Sequence, residues 1–266
     1  MKFYLKQGML LLVSMVAIQA FSQKYVSVTP LMGFQRCFSN KLNGNSAPDF
    51  KNNTNNHAVQ YGIFLDYHVN RFVFSAGWAY NNVGYSYRIG PKYSSLIPTS
   101  SSASTMRTVS FPIRVAYELT DVGLFYKKTS SADELNDAPA QHFINFKLKV
   151  FGGLVLDNVN WPSYIDTISS VTITQRTYTQ LNKVGLSGTV GIAMQFMHHG
   201  KERLALSFYY HQGFTSYQKL TIDYTESNQA YQTSLVAKGT TYGITLSYPI
   251  KIWDIDKRKA MKAVRK

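Results

Sequence analysis

The sequence predicts an all-β fold, an eight-stranded antiparallel β-barrel that crosses a membrane, and three observations predict it. Apolar and polar residues alternate with period two in segment after segment, the period of a strand and not of a helix. The second of the two alternating rows is built mostly from Gly, Ser, Ala and Thr, not from the bulky charged residues a solvated surface needs. The polar links between segments are long and short in turn, as strands running up and down through a bilayer require. Composition agrees: 45% of the 266 residues are hydrophobic, 14% aromatic and only 16% charged, which excludes a disordered chain. A single cysteine, Cys37, excludes an intramolecular disulfide, and no metal-ligand spacing is present.

Residues 1–22 have the three parts of a secretory signal. Lys2 and Lys6 give a basic start, the stretch from Gly8 to Ile18 is apolar, and Ala20-Phe21-Ser22 places small residues ahead of a cleavage point after Ser22 or Gln23. An apolar run of about 11 residues is too short to anchor the chain as a spanning helix, which needs about 20. Residues 23–253 then form the barrel and residues 254–266 a basic tail.

The first strand runs from about Tyr25 to Phe38, less regular around Pro30. In the second, Val59, Tyr61, Ile63, Leu65, Tyr67 and Val69 share a face opposite Gln60, Gly62, Asp66 and His68, with Phe64 the one large residue in the polar row. A two-residue loop at Asn70-Arg71 places Val69 opposite Phe72 and Tyr67 opposite Phe74, so the apolar rows of two strands agree in register. Further rows are Val109 to Leu119, Ile144 to Leu156, Val184 to Phe196, Leu204 to Tyr210 and Tyr242 to Ile252, which brings the total to about eight. Each row is about 10 to 12 residues long, enough for a tilted strand to cross hydrocarbon. Such strands could also line a soluble lipocalin-like barrel. Small polar residues make a poor outer surface but suit a narrow lumen, so the face chemistry selects the membrane form. Tyr67, Phe72, Tyr117, Phe143, Phe196, Tyr248 and Trp253 fall near one set of strand ends and Trp78, Tyr80 and Tyr210 near the other, the positions of aromatic girdles.

With the N-terminus on the periplasmic side, the outer links are Ser39–His57, Ile89–Thr105, Asn158–Asn182 and Lys219–Ala237, all rich in Asn, Ser and Thr. The inner links are Asn70-Arg71, His198–Glu202 and a longer one, Thr120–Gln141, that carries Lys127, Lys128, Asp133, Glu134 and Asp137. Two of the three obey the short-periplasmic-turn rule.

The signal ending Ala-Phe-Ser-Gln before Lys-Tyr, the strand Tyr-Gly-Ile-Phe-Leu-Asp-Tyr and the closing strand Tyr-Gly-Ile-Thr-Leu-Ser-Tyr-Pro-Ile resemble those of the outer-membrane β-barrel proteins of Bacteroidetes, including PorT-like and OmpA-type small barrels. The resemblance extends from about Lys24 to Trp253. It departs from many outer-membrane barrels in that Trp253 is followed by Asp254-Ile255-Asp256 and the basic tail. It implies a bacterial outer-membrane location and a family of few assigned activities, one branch of which is linked to type IX secretion, and it carries over no functional residue.

Candidate functional groups lie in the inward rows. Asp66, Arg114, Glu118, Lys147, Lys149 and Lys251 all face a lumen only wide enough for side chains to fill it, where an unpaired charge costs several kcal/mol. The expectation is a polar plug in which Arg114 and Lys147 or Lys149 pair with Glu118 and Asp66; the alternative is a narrow, anion-preferring pore for small solutes. A lumen-sited hydrolase would need His68 or His211 beside a nucleophile, but the strand pattern puts Asp66 and His68 at one end and His211 at the other, and the expectation is no enzyme and no cofactor. His198-His199 has no third metal ligand.

The tail residues Lys257, Arg258, Lys259, Lys262, Arg265 and Lys266 form either a short helix for a periplasmic or envelope protein partner or a solvated end. Despite a formal charge of +14, no basic-aromatic module suggests nucleic acid. The outer segments with Trp161, Pro162, Tyr164 and Ile168 and with Tyr224, Tyr231 and Leu235 either contact a ligand or extend strands above the membrane. The reading is therefore a non-enzymatic envelope scaffold, binding or secretion-accessory protein embedded in outer-membrane lipid.

Overall fold

The computed structural model describes residues 24–42, 44–52, 56–90, 100–127, 142–159, 162–166, 173–198, 201–226 and 228–254. The signal segment, the basic tail with Lys257, Arg258, Lys259, Lys262, Arg265 and Lys266, and the residues Lys128, Asp133, Glu134, Asp137, Trp161, Ile168 and His199 lie outside the described residues.

Period-two alternation becomes β1 (Lys24–Lys41), β2 (Lys51–Asn52), β3 (His57–Val69), β4 (Phe72–Ile89), β5 (Ser100–Lys127), β6 (His142–Asn158), β7 (Tyr164–Asp166), β8 (Ile173–Gln180), β9 (Val184–His198), β10 (Lys201–Gly213), β11 (Gln218–Glu226), β12 (Gln229–Ser247) and β13 (Ile250–Asp254). Eight of these, β1, β3, β4, β5, β6, β9, β10 and β12, pair antiparallel in that order, and β12 pairs back onto β1 to close a barrel. Pro249, which lacks an amide hydrogen, breaks β12 from β13, and β13 carries the same course on along the foot of β1. The β3–β4 turn falls at Asn70-Arg71, with Asn70 at φ 56°, a left-handed conformation that asparagine tolerates where the favoured glycine is missing.

One ring of paired residues fixes the geometry. It runs Ser27, Asp66, Ser75, Arg114, Gly153, Thr189, His211, Thr241 and returns to β1 at Cys37, ten residues beyond its start. Ten residues of rise against eight strand spacings correspond to strands tilted by about 40°. The outward row is exposed (Phe34 70%, Ile113 61%, Val190 58%), whereas inward Ser27, Ser110 and Ser187 are fully buried. On β5 the outward row from Val109 to Leu119 spans about 33 Å of strand and about 25 Å along the barrel axis at that tilt, the height of a membrane-spanning apolar band.

Above this band the outer links are not simply polar loops. Segments Asn158–Asn182 and Lys219–Ala237 contain β7, β8, β11 and the upper part of β12, and β4 and β5 continue past the band to Ile89 and from Ser100. Their alternation is inverted: on β11 the inward residues are Leu220, Ile222 and Tyr224, and the outward ones are Lys219, Thr221 and Asp223. β4 contains both patterns, inward Ser75, Gly77 and Asn81 giving way to inward Val83, Tyr85, Tyr87 and Ile89. These apolar residues meet Phe50, Tyr178, Tyr217 and Leu235 in a core that closes the upper mouth as a collar. Tyr224 and Leu235 are thus core residues, not surface contacts, because water and not hydrocarbon lies outside them. The ladder survives the bends into the collar through Tyr217 N–H to Ala237 O (2.9 Å), Leu181 N–H to Tyr217 O (2.8 Å) and Phe214 N–H to Leu186 O (3.0 Å). Gly239 at φ +76° permits the chain to pass Tyr217, whose ring would lie 2.7 Å from an added Cβ.

Candidate functional site

The lumen is filled in four tiers. At the lower end, β5 contributes Glu118, β6 Lys147 and Lys149, and β10 Glu202. Lys147 Nζ lies 3.0 Å from Glu118 Oε2, and Lys149 Nζ bridges Glu118 Oε1 (3.3 Å) and Glu202 Oε1 (3.2 Å). His68 adjoins this tier with Nε2 3.0 Å from the Ser27 hydroxyl and its ring stacked on Tyr25 at 4.0 Å. His68, Glu118 and Glu202 bring one potential ligand atom each within 4.8 Å of one another. The Lys149 ammonium already sits between the two carboxylates, so the positive charge a metal would bring is supplied by the chain itself.

Arg114 forms the second tier. Its guanidinium lies 3.7 Å from the ring centre of Phe64 and 5.1 Å from that of Phe151, and no ion pair joins it to Asp66 among the described residues. The expected Arg114–Asp66 bridge is replaced by two other contacts: Asp66 accepts a hydrogen bond from the Thr29 hydroxyl, and Phe64 provides a π face for the cation. Phe64, the large residue out of place in the inward row, is therefore the platform beneath Arg114. Gly153 leaves room beside it, since an added Cβ would meet Ile113 O at 2.1 Å.

In the third tier the Tyr209 hydroxyl is 2.6 Å from Gln60 Oε1 and 2.9 Å from Gln35 Oε1, and Gln35 Nε2 donates to Asn82 O at 2.7 Å. The fourth centres on Asp157 of β6, 3% exposed. It accepts from Ser110 of β5, from Ser187 of β9 (2.6 Å) and from Tyr217 at the bend into the collar (2.6 Å), with His211 Nε2 3.8 Å away. Burial in the collar pushes the phenols of Tyr85, Tyr178 and Tyr217 above their ordinary range, so they stay neutral.

Cavities shrink up this stack, from about 80 Å³ below Arg114 to about 30 Å³ above it and about 10 Å³ beside Asp157. Arg114 lines the first two and His211 the last two, so each is a partition. The lowest has room for about five waters and the highest for one at most. Beside His211, the Ser110 and Ser187 hydroxyls point to Asp157, and His68 lies at the opposite end with Ser27.

Of the charges read from the sequence, Glu118, Lys147 and Lys149 meet, while Asp66 and Arg114 are held separately. Lys251 does not face the lumen: it is exposed at the lower rim, its ammonium 4.5 Å from the Tyr25 ring centre, on the short strand β13 whose register against β1 shifts between Val26 and Ser27. Glu202 joins the network unforeseen. Counting by twos from Ala205 turns Arg203 inward, but a register shift between Glu202 and Ala205 reverses the parity and brings Glu202 in. The outer surface has aromatic margins, with Tyr61, Trp78 and Tyr80 in mutual contact above (4.9 and 4.4 Å) and Phe72 against Tyr117 below (5.0 Å).

No protein-family model matches the chain, and no curated protein matches its sequence. Among solved structures, the chain is similar to the crystal structure of the outer membrane protein OprG from Pseudomonas aeruginosa, with 11% sequence identity and a TM-score of 0.40 over 87% of this chain and 99% of that one.

Proposed function

We propose that the chain is an outer-membrane β-barrel that acts as a closed, non-enzymatic scaffold, holding a folded collar at the outer surface where an envelope or secretion partner can engage it. The observation that carries this reading is the pairing of an apolar outer band with a lumen crossed by four tiers of paired or hydrogen-bonded side chains. An apolar band about 25 Å tall, edged by aromatic residues, is stable only in a bilayer. The start of β1, the end of β13, the Asn70-Arg71 turn, the end of β9 and the start of β10 lie at one end, and the collar at the other, which supports a periplasmic foot and an external collar. Lys147, Lys149 and Glu118, then Arg114 on Phe64, then Asp157 and the collar core stand in series across any path for ions.

Purified protein refolded into a planar bilayer tests it. The unboiled band on a gel should run faster than the boiled one, and the refolded protein should be electrically silent. Stepwise single-channel currents that respond to Lys149→Glu would replace the scaffold with a pore, and a soluble protein without the gel shift would remove the membrane assignment altogether.

A further inference from the structure

The cavity of about 80 Å³ beneath Arg114 is lined by hydrogen-bond donors that the protein does not use. The Arg114 guanidinium lies 3.7 Å from the Phe64 ring centre, a distance at which it stacks through its π face, so its N–H groups point sideways into the lumen. Among the described residues no hydrogen bond or ion pair takes up those N–H groups, and none takes up the hydroxyls of Ser75, Ser207 and Ser247 on the cavity wall. The other charges at this level are engaged. Lys147 and Lys149 stand against Glu118 and Glu202, and Asp66, on the far side of Ser75, accepts from Thr29.

The cavity can be reached from the foot of the barrel. Below the Ala205–Ser247 pair, Pro249 turns the chain off β12 and β13 follows β1, so the foot of β10 from Lys201 to Leu204 is laddered to β9 alone among the described residues. Ala205, Ser247 and Pro249, at the top of this gap, line the cavity, and on the outer side of the gap the Arg203 guanidinium donates to the Tyr248 hydroxyl at 2.9 Å. One cation stands at the entrance and a second, Arg114, at the end.

The free edge of a planar guanidinium matches the two oxygens of a carboxylate. Val73, Ala116, Phe151 and Ala193 give the cavity an apolar side that suits an aliphatic tail. Room for about five waters is the size of a carboxylate with a short tail, such as propionate. Asp66 and Glu202 also face the cavity, and their charges disfavour a dianion such as phosphate. We propose that the lower lumen binds a small monocarboxylate from the periplasmic side, its two oxygens on the Arg114 guanidinium, with the Ser75 and Ser207 hydroxyls beside them, and its tail against Val73, Ala116 and Ala193. The inference rests on the barrel reading above and not on the scaffold role.

Saturation-transfer NMR on the detergent-solubilised mature protein, with propionate, propionamide, inorganic phosphate and alanine as probes, tests it. Propionate should bind, and neutral propionamide should bind about tenfold more weakly. Arg114→Lys keeps the charge without the fork and should weaken propionate about tenfold, and Ser207→Leu fills the cavity with Arg114 in place and should abolish binding, while Lys219→Gln on the collar changes nothing. No propionate signal in the wild type, or one indifferent to both lumen variants, overturns the proposal and leaves the cavity to water. Tighter binding of phosphate overturns the monocarboxylate assignment in favour of an inorganic oxyanion, and tighter binding of alanine overturns it in favour of a zwitterion with its ammonium at Asp66. Each variant is first checked for the faster unboiled band; should Arg114→Lys lack it, Ser207→Leu and the propionamide comparison decide. A missing band in the wild type refutes the barrel, and a present band without propionate binding refutes only this inference.

Discussion

Asp157 is the point at which the barrel and the collar are joined, and replacing it with alanine should separate them. One of its oxygens accepts from Ser110, the other from Ser187 and Tyr217, and the three donors come from β5, from β9 and from the bend between β10 and β11. Hydrogen bonds to a charged group are worth about 1.5–3 kcal/mol each before desolvation is counted. Removing one member of such a buried network costs about 3–5 kcal/mol, because its partners stay buried without an acceptor. The adjoining cavity of about 10 Å³ admits one water at most, too few to serve three donors. Asp157→Asn keeps an acceptor for Ser110 but sets an amide group against Ser187 and Tyr217, and should cost about half as much; Tyr217→Phe removes only the collar's bond, about 1 kcal/mol. The assay is urea unfolding followed by two readouts, the unboiled gel band for the barrel and limited proteolysis at Phe214–Tyr217 for the collar. In Asp157→Ala the collar should become cleavable at urea concentrations that leave the fast band intact. Collar and barrel transitions that stay together and within about 0.5 kcal/mol of wild type would refute the joint.

Two other positions yield separate tests. Lys149→Met should destabilise the barrel by about 3–5 kcal/mol, since Glu118 and Glu202 lose the ammonium between them. In that variant Zn²⁺ should restore part of the loss by binding His68, Glu118 and Glu202, whereas wild-type stability should not respond to Zn²⁺; chelator-insensitive stability in the variant would count against the shared site. Glu226 in the collar is held above the usual carboxyl range by burial and then by the charge of Asp49. Because its folded value exceeds the unfolded one, the protonated form favours the fold, and its contribution is present at low pH and lost as pH rises through the raised value. Collar resistance to protease should therefore fall, as pH rises out of the ordinary carboxyl range and through the raised value, more in wild type than in Glu226→Gln, as a matched pH series would show.

The barrel was legible because one face of every strand has to meet hydrocarbon and the other a crowded polar lumen. The Val69–Phe72 and Tyr67–Phe74 pairs read from the two-residue loop recur in the structure. The collar was hidden by the same rule applied one step too far. Leu220, Ile222 and Tyr224 alternate with Thr221 and Asp223 as clearly as any barrel strand, but neighbouring Ser, Thr and Asn suggested loops, and the inversion of faces shows only once the solvent outside is known to have changed. Side-chain partners followed no such rule. Asp66 and Arg114 share an inward ring, with Ser75 on the strand between them, yet Thr29 and Phe64 are nearer to hand. The shift that brings Glu202 into the ionic tier depends on one irregular pair of strands and leaves no mark in the hydrophobic pattern.

The inversion also explains how a passive barrel would hold a platform at a fixed height. On β4 the outward row changes from Phe74, Ala76, Trp78 and Tyr80 to Asn82 and Arg88, with Gly84 and the covered Ser86 between them, while the inward row changes in the opposite sense. Sliding the barrel outward by one pleat would lift apolar side chains such as Tyr80 and Val109 into water on strand after strand. At about 1.5–3 kcal/mol for each large side chain, the total passes 10 kcal/mol within one step of about 5 Å. Sliding inward would pull Arg107 and Asn158 into hydrocarbon, at about 2.5–3.5 kcal/mol for the arginine alone. Slippage in register is opposed just as strongly: a shift of one residue would put the Lys149–Glu202 pair in lipid and the exposed aliphatic row in the lumen. The polar tiers therefore decide which face points inward, and that choice, with the inversion above it, would hold the collar against both tilt and sinking. A partner docking on the collar would meet a surface whose distance from the membrane is set to within one residue of the chain.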